Sequence, residues 1–400
     1  MPNKHIVFVG ATSDLRSGVE ELSVHLGSQW KTSPVGSGAE ALKLIEETSP
    51  DMVVAMMKLP DMSGADLLET VSKKFGSTVR FLASDQANKT SIVSSAKNVH
   101  QYIPLPIDWK ALAHTIENSL ALRKLLSNSD LCTRIAAVES LPSPPETYQQ
   151  IVVELESEEP SIRRISDLIG HDINVTARLL QLVNSAYFGL NTRVESISHA
   201  VNLLGLRTVQ TIVFSVGVFN QFADPHIPGF SINGIYDRSV AVGARARLIA
   251  HALGLSRRFV DDSLLSGMLH DVGKLLMLTS FQDELTQAVE LSERESLQLH
   301  MAQLKLMGVT DALMGAHLLG LWGLPDAMVE AVAMHYRPSQ LPSPQLNALT
   351  AVHIAFATEY DEKHHIHDMK LSALDLAYLT TLGISDQVQG LQQFCAGAMA

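Results

Sequence analysis

The hydrophobic period changes near residue 130, so one polypeptide must build two different folds. Before that point short apolar runs alternate with helical stretches. "HIVFV" reads as a strand and "SDLRSGVEELSVHLG" as a helix. "KTSPV" is extended, "GAEALKLIEE" helical, "DMVVAMM" a buried strand and "GADLLETVSKKF" a helix. "TVRFLA" is a strand, "NKTSIVSSAK" a helix and "QYI" a short strand, before the helix "DWKALAHTIENSLALRKLL". Five strand–helix pairs predict a doubly wound α/β domain, a parallel sheet with helices on both faces, over residues 1–125. The last helix runs past the domain edge and is expected to serve as the linker. Beyond it the period is helical only, in "SPPETYQQIVVELE", "SIRRISDLIG", "NVTARLLQLVNSAYF", "ISHAVNLLG" and "RTVQTIVFSVGVFNQF". Pro142, Pro144 and Pro145 mark the border. An all-α domain is expected over residues 126–340, with a helical extension packed on it over residues 341–400.

Composition narrows the function classes. Of 400 residues 46% are hydrophobic, enough for sizeable cores. No uncharged apolar run reaches the ~18 residues of a membrane span, and the first residues lack the regions of a signal peptide, so no membrane partner is expected. Cys132 and Cys395 have neither metal nor redox spacing, which suits a reducing cytoplasm. Residues 1–125 hold 13 basic and 13 acidic side chains, so the whole net charge of −12 falls on the rest. That balance argues against nucleic acid as a partner. Arg245, Arg247, Arg257 and Arg258 form a local basic exception, read as a solvated helix face. The histidines of "DEKHHIHD", residues 361–368, read as a solvated loop.

Residues 5–125 resemble the receiver domain of two-component response regulators. "DMVVAMMKLPDMSGADLL" follows that pattern after the third strand, with Pro60 and Gly64, and "YIPLPID" follows it after the fifth, with Pro106. Receivers carry an acidic pair for Mg²⁺, a phosphoryl-accepting aspartate, a Thr or Ser, and a lysine. In this chain those positions fall on Gly10 and Ala11, Met56, Ser84 and Leu105. Only Ser84 keeps its type. Methyl and thioether groups are neither nucleophiles nor ligands for a hard cation, so phosphorylation is not expected and a docking role remains. Asp61 belongs to the following loop, and Asp14 is expected to cap a helix.

"VNSAYFG", residues 183–189, followed by "ISHAVNLLGLRTV", resembles the HDOD family, helical relatives of the HD phosphohydrolases that occur in bacterial signalling proteins, often behind a receiver. From the residues alone, Ile173, Ala177, Leu180 and Asn184 recur on one helix face, which predicts a core stripe ending in a buried amide bonded to helix-end carbonyls. Gly189 is expected just past the helix end, and Asp172, after His171, as an N-cap. Arg207 is expected to cap carbonyls or meet an acidic partner.

The resemblance implies a metal site of a histidine on an early helix, a His-Asp pair and a late aspartate. The pair survives as His270 and Asp271 in "SGMLHDVGKLLML". The early histidine falls on Arg238 and the late aspartate on Phe356. Auxiliary histidine positions fall on Asp311, with His317 close by, and on His335. An arginine repels a dication, and a phenylalanine removes a charge and fills the space. No metal and no cofactor is therefore expected, and Arg238 is expected to pair with Asp271 in the metal's place. The sum is a non-catalytic signalling adaptor whose partners are signalling proteins such as a sensor kinase, a cyclase or a transcription regulator, with a homodimer open. The alternatives are a metal-dependent phosphohydrolase and a nucleotide or cyclic-dinucleotide sensor contacting His270, Lys274 and Arg238.

Overall fold

The computed structural model describes residues 4–10, 13–75, 78–84, 99, 101–136, 138, 142–155, 161–185, 188, 192–222, 227, 229–322, 324–359 and 374–398. The helix expected over 88–97, Ala11, Gly189 and the histidines of 361–368 lie outside these. The chain divides into two compact units, one built chiefly of residues 1–121 and the other of residues 122–322 and 327–400.

The first unit is a five-stranded, all-parallel sheet. Its strands are β1 (Lys4–Val9), β2 (Trp30–Val35), β3 (Met52–Met56), β4 (Val79–Ser84) and β5 (Gln101–Pro104), in the order β2-β1-β3-β4-β5. Helices α1 (Ser13–Leu26), α2 (Gly38–Thr48), α3 (Gly64–Lys74) and α4 (Trp109–Leu126) complete it among the described residues. A strand covered on both faces is apolar at every position rather than at alternate ones. The β3 run "MVVAM" shows this: Met52 and Val54 pack with Ile6, Phe8 and Ile116 on one face, Val53 and Ala55 with Val7, Ile45 and Leu67 on the other. Pro34 sits in the edge strand β2, where a missing N–H breaks no central ladder. Ser37 and Ser63 start α2 and α3 by accepting the N–H groups of Glu40 and Asp66, each cap stabilising by about 1 kcal/mol.

The second unit is helical throughout its described residues. Its helices are α5 (Ser129–Ala136), α6 (Glu146–Leu155), α7 (Ile162–Gly170), α8 (Ile173–Val183), α9 (Ile197–Leu204), α10 (Leu206–Phe219), α11 (Ile232–Ala252), α12 (Arg257–Leu269), α13 (Val272–Ser280), α14 (Gln282–Glu295), α15 (Leu299–Met307), α16 (Asp311–Leu321), α17 (Asp326–Met334), α18 (Ala348–Thr358), α19 (Leu376–Thr381) and α20 (Val388–Ala398). No single described helix is long and apolar enough to cross a membrane. Two apolar cores are seen among the described residues. One joins α6–α10 to the inner faces of α11 and α12 through Ile151, Ile165, Leu179, Ile212 and Met268. The other joins α5 to α13–α16 through Leu131, Leu275, Leu285, Leu299 and Met314.

Two local expectations for α8 need correction. Its buried stripe is Val175, Leu179, Leu182 and Val183, whereas Ile173 is 80% exposed. Asp172 does cap the helix, through the Val175 N–H, so Ile173 opens the first turn and faces solvent. Asn184 makes the expected amide bonds, donating to the Leu180 and Val194 carbonyls and accepting from the Val194 N–H, but it does so on the surface.

Candidate functional site

The His-Asp pair lies at the break between α12 and α13, not inside one helix. His270 follows the last residue of α12, and Asp271, with φ −94° and ψ 8°, precedes the first of α13. Glycines set the geometry on both sides of this break. A Cβ on Gly267 would meet the Gly243 Cα at 2.6 Å, and one on Gly273 would meet the Asp311 carbonyl oxygen at 1.9 Å. So α11 crosses α12, and α13 crosses α16, at backbone contact. Those crossings carry Arg238, His270, Asp271 and Asp311 into one buried cluster, and α18 adds Phe356. His335 follows α17.

All six expected positions converge. The Phe356 ring is the hub, with centroids 5.3 Å from His270, 4.7 Å from His335 and 5.2 Å from Tyr336. The Arg238 guanidinium lies over the Phe356 ring, 4.8 Å from its centroid, a cation–π contact. Asp311, rather than His317, belongs to the cluster: Tyr336 donates to its Oδ2 at 3.2 Å, while His317 turns to the Leu126 carbonyl at 3.2 Å.

Arg238 is not the ion-pair partner of Asp271. Lys274 is, with its amine 2.9 Å from Asp271 Oδ1 and 3.7 Å from Asp311 Oδ2. The reason is reach. Lys274 stands one helical turn after Asp271 on the same face, and Arg238 is drawn onto the ring of Phe356. Lys274 is wholly buried, and two buried carboxylates share its charge.

The tautomers of the two site histidines follow from their partners. Nδ1 of His270 lies 2.7 Å from the Gly267 carbonyl, and Nδ1 of His335 lies 2.7 Å from the Val332 carbonyl. A carbonyl only accepts, so each Nδ1 carries the proton and each neutral ring keeps a bare Nε2. Burial pushes the His270 pKa down to about 4, against the pull of Asp271, and burial likewise holds His335 well below its ordinary value. His270 Nε2 is 3.3 Å from Asp271 Oδ2, and with a neutral ring this is no ion pair. For Asp271, burial favours the neutral acid, but His270, Lys274 and Arg238 together hold its carboxyl well below the carboxylate range. His270 Nε2, His335 Nε2, Asp271 Oδ2 and Arg238 Nη1 are buried without a hydrogen-bond partner.

A second layer fixes the rings. His353, on α18, meets the His335 carbonyl through Nδ1 at 2.8 Å and accepts the Asp375 N–H at Nε2, 2.9 Å away. Asp375 also accepts from the Ser339 N–H, and Tyr378 bonds Thr350 and the Gln345 carbonyl. His300 stacks on Tyr336 at 4.1 Å. Sequence reasoning missed Tyr336, His300 and His353. Tyr336 adjoins His335 in "AMHYRP" and was open to inspection, whereas His300 and His353 sit among apolar residues with no motif to announce them.

The receiver-like positions lack acidic chemistry. A Cβ on Gly10 would meet the Met56 Cγ at 2.6 Å and the Leu15 Cδ2 at 2.9 Å, so apolar side chains close in where an acidic pair would stand. Leu105 packs against the core beneath the sheet and precedes a cis Pro106. Ser84 ends β4 in register with Pro104. Asp61 accepts the N–H groups of Gly38 and Ala39 at the start of α2.

Residues 141–338 match the family model of the HDOD domain. This part of the chain is an HDOD domain. The N-terminal part resembles response-regulator receivers. An uncharacterized protein of Treponema pallidum is 26% identical over 234 residues, which are 56% of this chain and 44% of that protein. The chain thus spans less than half the length of this curated relative. A Shewanella amazonensis structure, provisionally named a phosphohydrolase, shares the fold at 18% identity and a TM-score of 0.52, covering 68% of this chain and 97% of that one. The signal receiver domain of an HD domain-containing protein from Pseudomonas fluorescens matches 31% of this chain and 91% of its own, at 20% identity and a TM-score of 0.28.

The HDOD cluster does not fit the dication of the HD enzymes. Two bare imidazole nitrogens and one carboxylate oxygen are donors that a transition metal accepts. Against them, the Lys274 ammonium already lies in ion-pair range of Asp271 and Asp311, and with the Arg238 guanidinium it balances the two carboxylates. The Phe356 ring also packs against both imidazoles. Among the described residues no three His, Cys, Asp or Glu side chains are placed to hold one ion.

Proposed function

We propose that this protein is a non-catalytic signalling adaptor in which a phosphoryl-inert receiver-like domain is coupled to an HDOD protein-interaction module. The observation that carries it is the substitution of charge and volume at the HD cluster: Lys274 on both carboxylates, and Arg238 stacked on Phe356 between the two histidines. Metal-assisted hydrolysis needs an ion with an open position that lowers the pKa of a bound water. A buried ammonium occupies the space between the carboxylates without providing that position. Its partners are signalling proteins, a sensor kinase, a cyclase or a transcription regulator. The residue ranges 1–125, 126–340 and 341–400 describe the three parts of this device.

One feature favours the hydrolase alternative, namely the unpartnered Nε2 atoms of His270 and His335 beside Asp271 Oδ2. A direct assay separates the two. The full chain is incubated with bis-p-nitrophenyl phosphate and cyclic dinucleotides in Mg²⁺, Mn²⁺ and Fe²⁺, beside a His270→Ala variant. The adaptor reading predicts no turnover that depends on His270. Multiple turnover lost in the variant would restore the hydrolase.

A further inference from the structure

The two stretches that carry the HDOD resemblance, "VNSAYFG" and "LGLRTV", place none of the described HD-cluster residues. In the structure their Phe188 and Arg207 meet the arginines of α11 and α12. The Arg207 side chain, 55% exposed, spans Asp261 Oδ2 at 3.7 Å and Asp262 Oδ1 at 3.4 Å. Arg258 approaches Asp262 Oδ2 at 3.6 Å. Arg247 lies over the Phe188 ring, 5.5 Å from its centroid, and its charge acts on Asp261. Arg257 is exposed, beside Gly205, and its charge also acts on Asp261. The solvated face expected from sequence is therefore a built cluster. Arg245, from the same stretch, faces elsewhere and pairs with Glu359.

Four guanidinium groups here face two carboxylates, and Asp262 is almost wholly buried beneath them. The printed ion pairs of Arg207 and Arg258 are between 3.4 and 3.7 Å. The cluster thus presents excess positive charge on a domain whose chain carries a net charge of −12. Carboxylates supplied from outside match that excess charge. Bulk nucleic acid is disfavoured, because the surrounding domain is acidic.

We propose that Arg207, Arg247, Arg257 and Arg258 form the docking surface for an acidic peptide segment of a partner protein. This rests on the adaptor reading and names the chemistry of its partner.

The test is fluorescence anisotropy of the full chain with a labelled peptide of alternating Glu and Asp around one Leu. Binding is expected, and it should weaken about tenfold or more in Arg257→Glu, an exposed position with no carboxylate in ion-pair range among the described residues. Arg163→Glu, exposed on α7, should leave it unchanged. Raising salt from about 0.1 M to about 1 M shortens the screening length from about 10 Å to about 3 Å and should abolish it. Arg207→Gln adds a second reading at the centre, accepted only if its circular dichroism is native. No binding at about 0.1 M salt, equal loss in Arg163→Glu and Arg257→Glu, or full displacement by pyrophosphate would overturn the proposal. The last outcome would assign the cluster to small phosphates. Failure here leaves the hydrolysis assay untouched, so it does not by itself remove the adaptor reading.

Discussion

Replacing Lys274 with methionine should destabilise the HDOD unit more than any surface change. Lys274 is fully buried and is the ammonium within ion-pair range of both Asp271 and Asp311. Methionine keeps most of the volume and removes the charge. Two buried carboxylates then stand near each other with only the more distant Arg238 to offset them. Breaking one buried pair costs roughly 3–5 kcal/mol, and for a domain of this size each kcal/mol lowers Tm by about 2–4 °C, so a fall of about 6 °C or more is expected. The pH dependence has a definite sign. In the native protein the Asp271 carboxyl is depressed, so its contribution is present above the unfolded carboxylate pKa and is lost as pH falls through the lower folded value. In Lys274→Met the same carboxyl is held down less, by His270 and Arg238 alone, and protonation relieves the repulsion. The stability gap between the two proteins should be widest near pH 8 and narrow as pH falls toward about 4. Urea denaturation at several pH values measures both effects. Adding Asp271→Asn to Lys274→Met should cost less than the two singles combined. A loss under ~1 kcal/mol, or a gap that does not vary with pH, would refute the charge assignment.

Gly273→Ala should destabilise strongly, because its Cβ would sit 1.9 Å from the Asp311 carbonyl oxygen and must push α13 off α16; thermal melts should show a loss of about 1–3 kcal/mol or more, and an unchanged Tm would contradict the close crossing. His353→Ala should loosen the C-terminal segment by removing the bonds to His335 and Asp375, seen as faster hydrogen exchange over residues 374–381. Incubation with acetyl phosphate and Mg²⁺ should leave the intact mass unchanged, since Gly10 and Met56 supply no acceptor or ligand; a stoichiometric adduct on residues 1–125 would contradict this.

Much of the fold was legible because period and punctuation both point one way. The continuous apolar run of β3 and the alternation of strand and helix stretches mark a parallel sheet without any tertiary knowledge. The α8 stripe was misread because one helix offers two apolar faces, and only packing decides that Val175 and Leu179 go inward while Ile173 stays out. At the site, the substituted positions were located only through the family resemblance, and the structure brings all six together. Their pairing could not. Arg238 and Lys274 both offer a positive charge to Asp271, and the choice depends on a ring stack between α11 and α18 that no local pattern encodes. His353 escaped for the same reason, since its two partners lie 18 and 22 residues away.

The central claim is that Lys274, Arg238 and Phe356 leave no place for a catalytic dication. Elemental analysis of gently purified full-length protein, beside His270→Ala and an Arg238→His/Phe356→Asp double variant, tests it most directly. The account predicts substoichiometric Fe, Mn and Zn in the native chain, unchanged by His270→Ala, with any gain confined to the double variant. One or two equivalents of a transition metal in the native chain, lost in His270→Ala, would contradict it.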